Sequence, residues 1–86
     1  MRAGQKFWEL VYILKSEVDQ KCFYVGSTSD LKRRLSEHNL GDSPHTAQHR
    51  PWRLSQYSAF ETKEKAEEFE RYLKTCSGRK FQKRHL

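Results

Sequence analysis

Two short apolar runs, FWELVYILK at residues 7–15 and KCFYVG at residues 21–26, stand five residues apart early in the chain. Both are rich in aromatic and β-branched side chains and are short, so both read as strands. The connection between them, SEVDQ at residues 16–20, is too brief for the crossover that parallel strands need. An antiparallel hairpin is the pairing that remains.

The later elements follow from caps and periodicity. Ser29-Asp30 offers an N-cap, and Leu31, Leu35 and His38 recur at helical spacing until Gly41 stops the helix. Residues 42–51 are polar and read as a loop. Residues 52–60 (WRLSQYSAF) predict a third strand whose alternation breaks at Tyr57. Thr62 caps a last helix that carries Ala66, Phe69, Leu73 and Cys76 on one face and ends at Gly78. The order β-β-α-β-α predicts an α+β fold, a small three-stranded antiparallel sheet flanked by helices.

With 86 residues, the expectation is one small domain over 1–86. Aromatic residues at 13% can close a core and argue against disorder, although 33% of the chain is charged. Cys22 and Cys76 are too few for a disulfide framework and read as reduced core thiols. No apolar run approaches the ~20 residues of a membrane span, and the start has no signal-peptide core. A cytoplasmic protein without a membrane partner is expected.

The charge is unevenly placed. Residues 1–70 hold eleven basic and eleven acidic side chains, and the net +6 lies entirely from Arg71 onward, where no acid occurs. A localised basic end suggests a polyanion, most often nucleic acid. Lys32 and Arg33 belong to the same expected surface, with Lys74, Arg79 and Lys80 from the basic end. Gly26 is read as ending its strand just before a helix start, where backbone N–H groups can approach a phosphate. Ser27 beside it and Asn39 are assigned to that surface too.

Helical geometry, at about 100° per residue, separates the remaining polar residues. On the first helix Arg34 falls on the shoulder of the apolar stripe and His38 within it, whereas Lys32 and Arg33 point away. On the last helix Glu70, four residues after Ala66 and three before Leu73, is the acid nearest the stripe. A carboxylate there needs a cation, either an arginine or a metal ion. Tyr12 and Tyr24 place phenols on the two hairpin strands. Together Tyr12, Tyr24, Arg34, His38 and Glu70 suit phosphodiester hydrolysis. The glutamate can hold one Mg²⁺ or Mn²⁺, the arginine can offset transition-state charge, and a tyrosine or histidine can orient or deprotonate water.

The chain resembles the GIY-YIG nuclease superfamily, in particular its small free-standing bacterial members, and is similar to the amino-terminal nuclease domain of the UvrC excision-repair protein. The resemblance rests on Val11-Tyr12-Ile13 and Tyr24-Val25-Gly26, with eleven residues between the two tyrosines. It continues through Ser27 to Leu35 and Glu37-His38-Asn39, then Gly41, Thr46, Pro51-Trp52, Phe60, Ala66, Glu70, Leu73-Lys74 and residues 77–81. It implies a DNA endonuclease with one divalent metal ion on Glu70, a catalytic arginine at Arg34 and paired tyrosines at Tyr12 and Tyr24. RNA remains open as a substrate. Leu10 stands where the family's first motif opens on glycine. Specificity in such nucleases is often supplied by other domains or partners, so a structure-selective or partner-directed enzyme is expected.

Two rival readings exist. A non-catalytic nucleic-acid-binding module would use the same basic surface, but would not need Glu70 beside a phosphate. A zinc-stabilised domain would draw on His45 and His49, with His38, Cys22 and Cys76 as further ligands, although no C-x-x-C pair is present.

Overall fold

The structure is a computed structural model that describes residues 9–19 and 21–85. Strand β1 (Glu9–Ser16) forms the middle of a three-stranded antiparallel sheet, between β2 (Phe23–Thr28) and β3 (Trp52–Phe60). Alternation along β1 sends Val11 and Ile13 to one face and Tyr12 and Leu14 to the other, and all four are buried. A strand covered on both faces reads as a continuous apolar run, which is why LVYIL shows no polar alternation.

The cover comes from four helices: α1 (Leu31–Leu40), α2 (Pro44–Ala47), α3 (Lys63–Leu73) and α4 (Cys76–His85). On one face Val11, Ile13 and Val25 pack with Ala66 and Leu73 of α3, and Phe60, Phe69 and Phe81 close the edge of this cluster. On the other face Tyr12, Leu14 and Trp52 pack with Leu31 and Leu35 of α1 and with Tyr24 and Leu54. The α+β class and the three-stranded sheet agree with the sequence, but the element order is β-β-α-α-β-α-α. Among the described residues no helix is long and apolar enough to cross a membrane.

The hairpin register corrects the expected strand limits. Pairing runs from Leu10 opposite Thr28 to Lys15 opposite Phe23, so β2 starts and ends two residues later than expected. Gly26 therefore lies inside the strand, opposite Tyr12, rather than at its end. Ser16 belongs to β1 and is buried; its hydroxyl accepts from the Asp19 N–H at 3.1 Å and donates to the His49 carbonyl at 2.6 Å. Phe7 and Trp8, Gln20 of the connection and the side chain of Cys76 lie outside the described residues.

Strand β3 has the expected limits, and its broken alternation has a physical cause. Leu14 faces Leu54 while Ile13 faces Gln56, leaving Ser55 as the extra residue of a bulge. The α1 caps are also as read: the Asp30 side chain accepts from the Arg33 N–H, and Gly41 closes the helix at φ 84°. The expected loop contains the short α2, which starts with Pro44 at its first position behind Ser43.

The single last helix is in fact two. Thr62 caps α3 through the Lys65 N–H, as expected, but α3 ends at Leu73. Thr75 makes the turn into α4, its hydroxyl donating to the Tyr72 carbonyl at 2.6 Å and accepting from the Gly78 N–H at 3.0 Å. Gly78 does not stop a helix; it is a buried residue of α4. A Cβ there would overlap the Tyr72 carbonyl and lie 2.6 Å from Leu73 Cα, so only glycine lets α4 lie this close to α3.

Candidate active site

The site begins with Gly26. A Cβ at this position would lie 2.6 Å from the Tyr12 hydroxyl oxygen and 2.8 Å from its Cζ. The glycine thus makes room for the Tyr12 ring to lie across β2, toward the free edge of the sheet. The expected approach of a phosphate to the Gly26 backbone is replaced by this ring, which covers that face.

Tyr12 is 1% exposed, and its hydroxyl lies 3.0 Å from Nε2 of His38, which is 0% exposed. His38 Nδ1 lies 2.8 Å from Thr46 Oγ1 on α2, and the Thr46 hydroxyl reaches the Ser43 carbonyl at 3.4 Å. Arg34 lies close enough to the Tyr12 and Tyr24 phenols to act on them electrostatically, and its guanidinium can only donate. The Ser43 carbonyl can only accept, so the protons run one way: Thr46 donates to Ser43, His38 Nδ1 to Thr46, and Tyr12 to His38 Nε2. Burial, with the charge of Arg34 beside it, lowers the His38 pKa and favours the neutral ring that this chain needs. Burial also pushes the Tyr12 phenol up to about 12, against the opposing pull of Arg34.

Tyr24 is half-buried on the same face, its ring 6.1 Å from that of Tyr12 and 4.7 Å from the His38 imidazole. Arg34 is held by Glu37, whose Oε1 accepts from it at 2.9 Å. That bond is the chief reason the Arg34 pKa is raised, and Arg34 in turn holds the Glu37 carboxyl below its usual value. Sequence reasoning singled out Arg34 but assigned no role to Glu37 or Thr46. The i, i+3 spacing of Arg34 and Glu37 is the signal that could have found the first.

Glu70 lies on α3, on the opposite face of the sheet from the tyrosines. It reaches the β2 edge, where Ser27 Oγ donates to its Oε1 at 2.9 Å. Its negative charge is felt at the Tyr12 phenol. The expected cation is present in an unexpected form, because Lys74 Nζ lies 2.9 Å from Oε2, with Glu70 22% and Lys74 54% exposed at their side chains. Ser27 and Lys74, both assigned to nucleic-acid binding, are therefore engaged with the carboxylate.

The remaining surface residues divide. Asn39 has a structural role that the sequence did not show: its Oδ1 accepts from the Trp52 N–H at 2.6 Å and its Nδ2 donates to the Trp52 carbonyl at 3.0 Å. Both ends of the amide help fix the start of β3, and the exposed side chain keeps one N–H and one lone pair open. Arg33 is exposed and paired with Glu37 at 3.1 Å; Lys32 is exposed on the outer side of α1. Arg79 lines a cavity of about 780 Å³ on the α3–α4 side of the sheet, together with Lys15, Lys21, Lys74, Lys83 and the exposed ring of Phe23. No acidic side chain lines it. Lys80 is exposed on α4 outside that lining.

The arrangement joins a buried phenol–imidazole pair, a half-exposed phenol, an arginine and a carboxylate around one strand edge. Comparison with known proteins fits this set. The model of the GIY-YIG catalytic domain matches residues 9–84. The structure-specific endonuclease subunit SLX1 of the yeast Scheffersomyces stipitis is 41% identical over 73 residues, covering 77% of this chain and 22% of that protein. A UPF0213 protein of Streptococcus pyogenes serotype M5 is 39% identical over 56 residues, covering 64% of this chain and 61% of that protein. The chain thus spans about a fifth of the SLX1 protein and under two thirds of the streptococcal one. The solution structure of the UPF0213 protein BH0048 from Bacillus halodurans superposes with a TM-score of 0.53 at 34% identity, over 88% of this chain and 80% of that one. The chain belongs to the GIY-YIG catalytic-domain family.

Proposed function

We propose that this protein is a metal-dependent endonuclease that hydrolyses phosphodiester bonds in DNA. The observation that carries this reading is the clustering of Tyr12, Tyr24 and His38, with Arg34 of α1 beside them, on one face of the sheet, while Glu70 reaches β2 from the other face through Ser27. Glu70 is the residue that would hold a Mg²⁺ or Mn²⁺ ion. Its hard carboxylate oxygens, on a side chain 22% exposed, suit such an ion, which would take the place of Lys74 at Oε2 and keep most of its shell as water and substrate phosphate. When bound, the ion supplies charge neutralisation at the phosphoryl and leaving oxygens.

The chain's own groups divide the remaining work by exposure. His38 has no solvent access, so it is a positioning residue that acts through Tyr12. Tyr12 is itself buried, and its raised pKa makes it a poor base near neutrality. Tyr24 and Arg34 are the groups a substrate can reach. Tyr24 orients the attacking water, and the part of Arg34 not engaged with Glu37 stabilises negative charge on the phosphate. The cavity with five cations and the Phe23 ring is the place for a flanking strand, with phosphates on the cations and a base on the ring. The nuclease named SLX1 is a subunit of a structure-specific enzyme, which favours a structure-selective, partner-directed activity here as well.

A second reading, a non-catalytic DNA-binding module of the same fold, is favoured by Lys74, which neutralises the carboxylate meant for the metal. Cleavage of supercoiled, forked and single-stranded DNA with Mg²⁺ or Mn²⁺ separates the two. The nuclease reading expects wild type to cut at least one substrate, and Glu70→Gln and Arg34→Ala to cut it at least 100-fold more slowly. Salt-dependent binding without cutting supports the module; unimpaired cutting by Glu70→Gln removes the assigned metal ligand.

A further inference from the structure

On the side of the molecule that carries the β1–β2 connection, three potential ligands converge that play no part in the chemistry above. Cys22 Sγ lies 3.3 Å from Asp19 Oδ2 and 3.7 Å from His49 Nδ1. One ligand atom from each of the three residues lies within 4.8 Å of the others. We propose that Asp19, Cys22 and His49 form a binding site for a zinc-class divalent ion, separate from the ion assigned to Glu70.

The spacing suits that ion. Bonds of about 2.3 Å to sulfur and about 2.0–2.1 Å to nitrogen or oxygen, at tetrahedral angles, put sulfur about 3.6 Å from each of its neighbours. The observed 3.3 and 3.7 Å bracket that value. A thiolate with an imidazole and one carboxylate prefers a borderline metal such as Zn²⁺ to Mg²⁺, which takes oxygen ligands. Thiolate and carboxylate together balance the ion's two charges, and three protein ligands leave a fourth position for water.

The backbone around the three residues is already tied together. The buried Ser16 hydroxyl accepts from the Asp19 N–H at 3.1 Å and donates to the His49 carbonyl at 2.6 Å, so one side chain fixes both loops. The Cys22 N–H bonds the Asp19 carbonyl at 2.8 Å, and the Glu17 N–H bonds the Pro51 carbonyl at 2.9 Å. The His49 ring stands edge-on to Trp52, 6.3 Å between centroids. An ion at this point would link the β1–β2 connection to the segment between α2 and β3. That segment adjoins Thr46, which holds His38 and, through it, Tyr12. The site is thus a structural clamp behind the buried half of the catalytic centre.

The test uses the tag-free full chain and Co²⁺ as a spectroscopic probe. One equivalent should give a near-ultraviolet thiolate-to-cobalt charge-transfer band, which Zn²⁺ abolishes by displacement. Zn²⁺ at a hundredfold excess over its Kd should raise Tm by about 11–22 °C. Cys22→Ser should remove the band, and His49→Gln should weaken Co²⁺ binding at least tenfold. Cys76→Ser and Glu70→Gln should keep the wild-type thiolate band. Absence of the band in wild type overturns the proposal, as does a band that survives Cys22→Ser, is unaffected by His49→Gln, or is lost in Cys76→Ser or Glu70→Gln. The readout does not depend on DNA cleavage, so it stands or falls apart from the nuclease assignment.

Discussion

Replacing Gly26 by alanine tests how closely Tyr12 lies on β2. The added methyl would stand 2.6 Å from the Tyr12 hydroxyl oxygen, 2.8 Å from its Cζ and 3.0 Å from Tyr24 Cε2. The ring cannot yield freely, because it is buried and its hydroxyl is bonded to His38. If the ring stays, overpacking costs about 1–3 kcal/mol. If it leaves, the buried imidazole loses its partner, at about 1–3 kcal/mol. Lower chain entropy in the unfolded alanine variant returns about 0.4–1 kcal/mol. A net loss of about 1.3 kcal/mol follows, or a fall in Tm of about 5–10 °C. Urea unfolding of wild type, Gly26→Ala, Tyr12→Phe and the double variant gives the coupling. A phenylalanine at position 12 has no bond to His38 and can tilt away, so Gly26→Ala should cost at least 1 kcal/mol less in that background. Equal cost in both backgrounds, or a cost below about 0.5 kcal/mol in wild type, would refute the close packing of this ring on the strand.

Other expectations follow from the same contacts. Asn39→Ala removes both bonds to the Trp52 backbone and should cost about 2 kcal/mol in urea unfolding, while the salt dependence of DNA binding stays unchanged. His38 has a folded-state pKa below its unfolded value of about 6.5, so its contribution is present above that pH and is lost as pH falls toward the lower folded value. The Tm advantage of wild type over His38→Gln should therefore shrink on acidification below about pH 6.5; an advantage constant from pH 7.5 to 5 would contradict the buried neutral ring. Arg79→Ala with Lys83→Ala removes two cations from the cavity and should lower the slope of log K against log salt by about 2 for DNA. An unchanged slope would place the phosphates elsewhere.

Much of this was legible because local signals and tertiary demands agree. The limits of β3 and the caps at Asp30, Gly41 and Thr62 are written in short stretches of sequence, and the structure keeps them. Arg34, His38 and Glu70 were singled out by their angles to an apolar stripe, a property of one helix. Roles were missed where a residue answers to something distant in sequence. Asn39 looks like a free polar side chain until Trp52, thirteen residues on, is placed against it. Gly26 resembles a strand end because its reason for being glycine is a ring on the neighbouring strand. Gly78 resembles a stop because the backbone it accommodates belongs to the preceding helix. Glu37 and Thr46 went unassigned because each acts on another side chain rather than on an apolar face.

The two hydrophobic clusters lie on opposite faces of the sheet, and this has a mechanical consequence. The tyrosines and Arg34 are carried by the side packed under α1, whereas Glu70 belongs to the side packed under α3. The backbone of β2 is therefore a gauge, and its thickness helps set the distance between the Arg34 guanidinium and the Glu70 carboxylate. Repacking around Leu35 would move one jaw of this caliper, and repacking around Leu73 the other. A gap adjustable from either side lets the spacing of Arg34 and Glu70 be tuned from within the two cores.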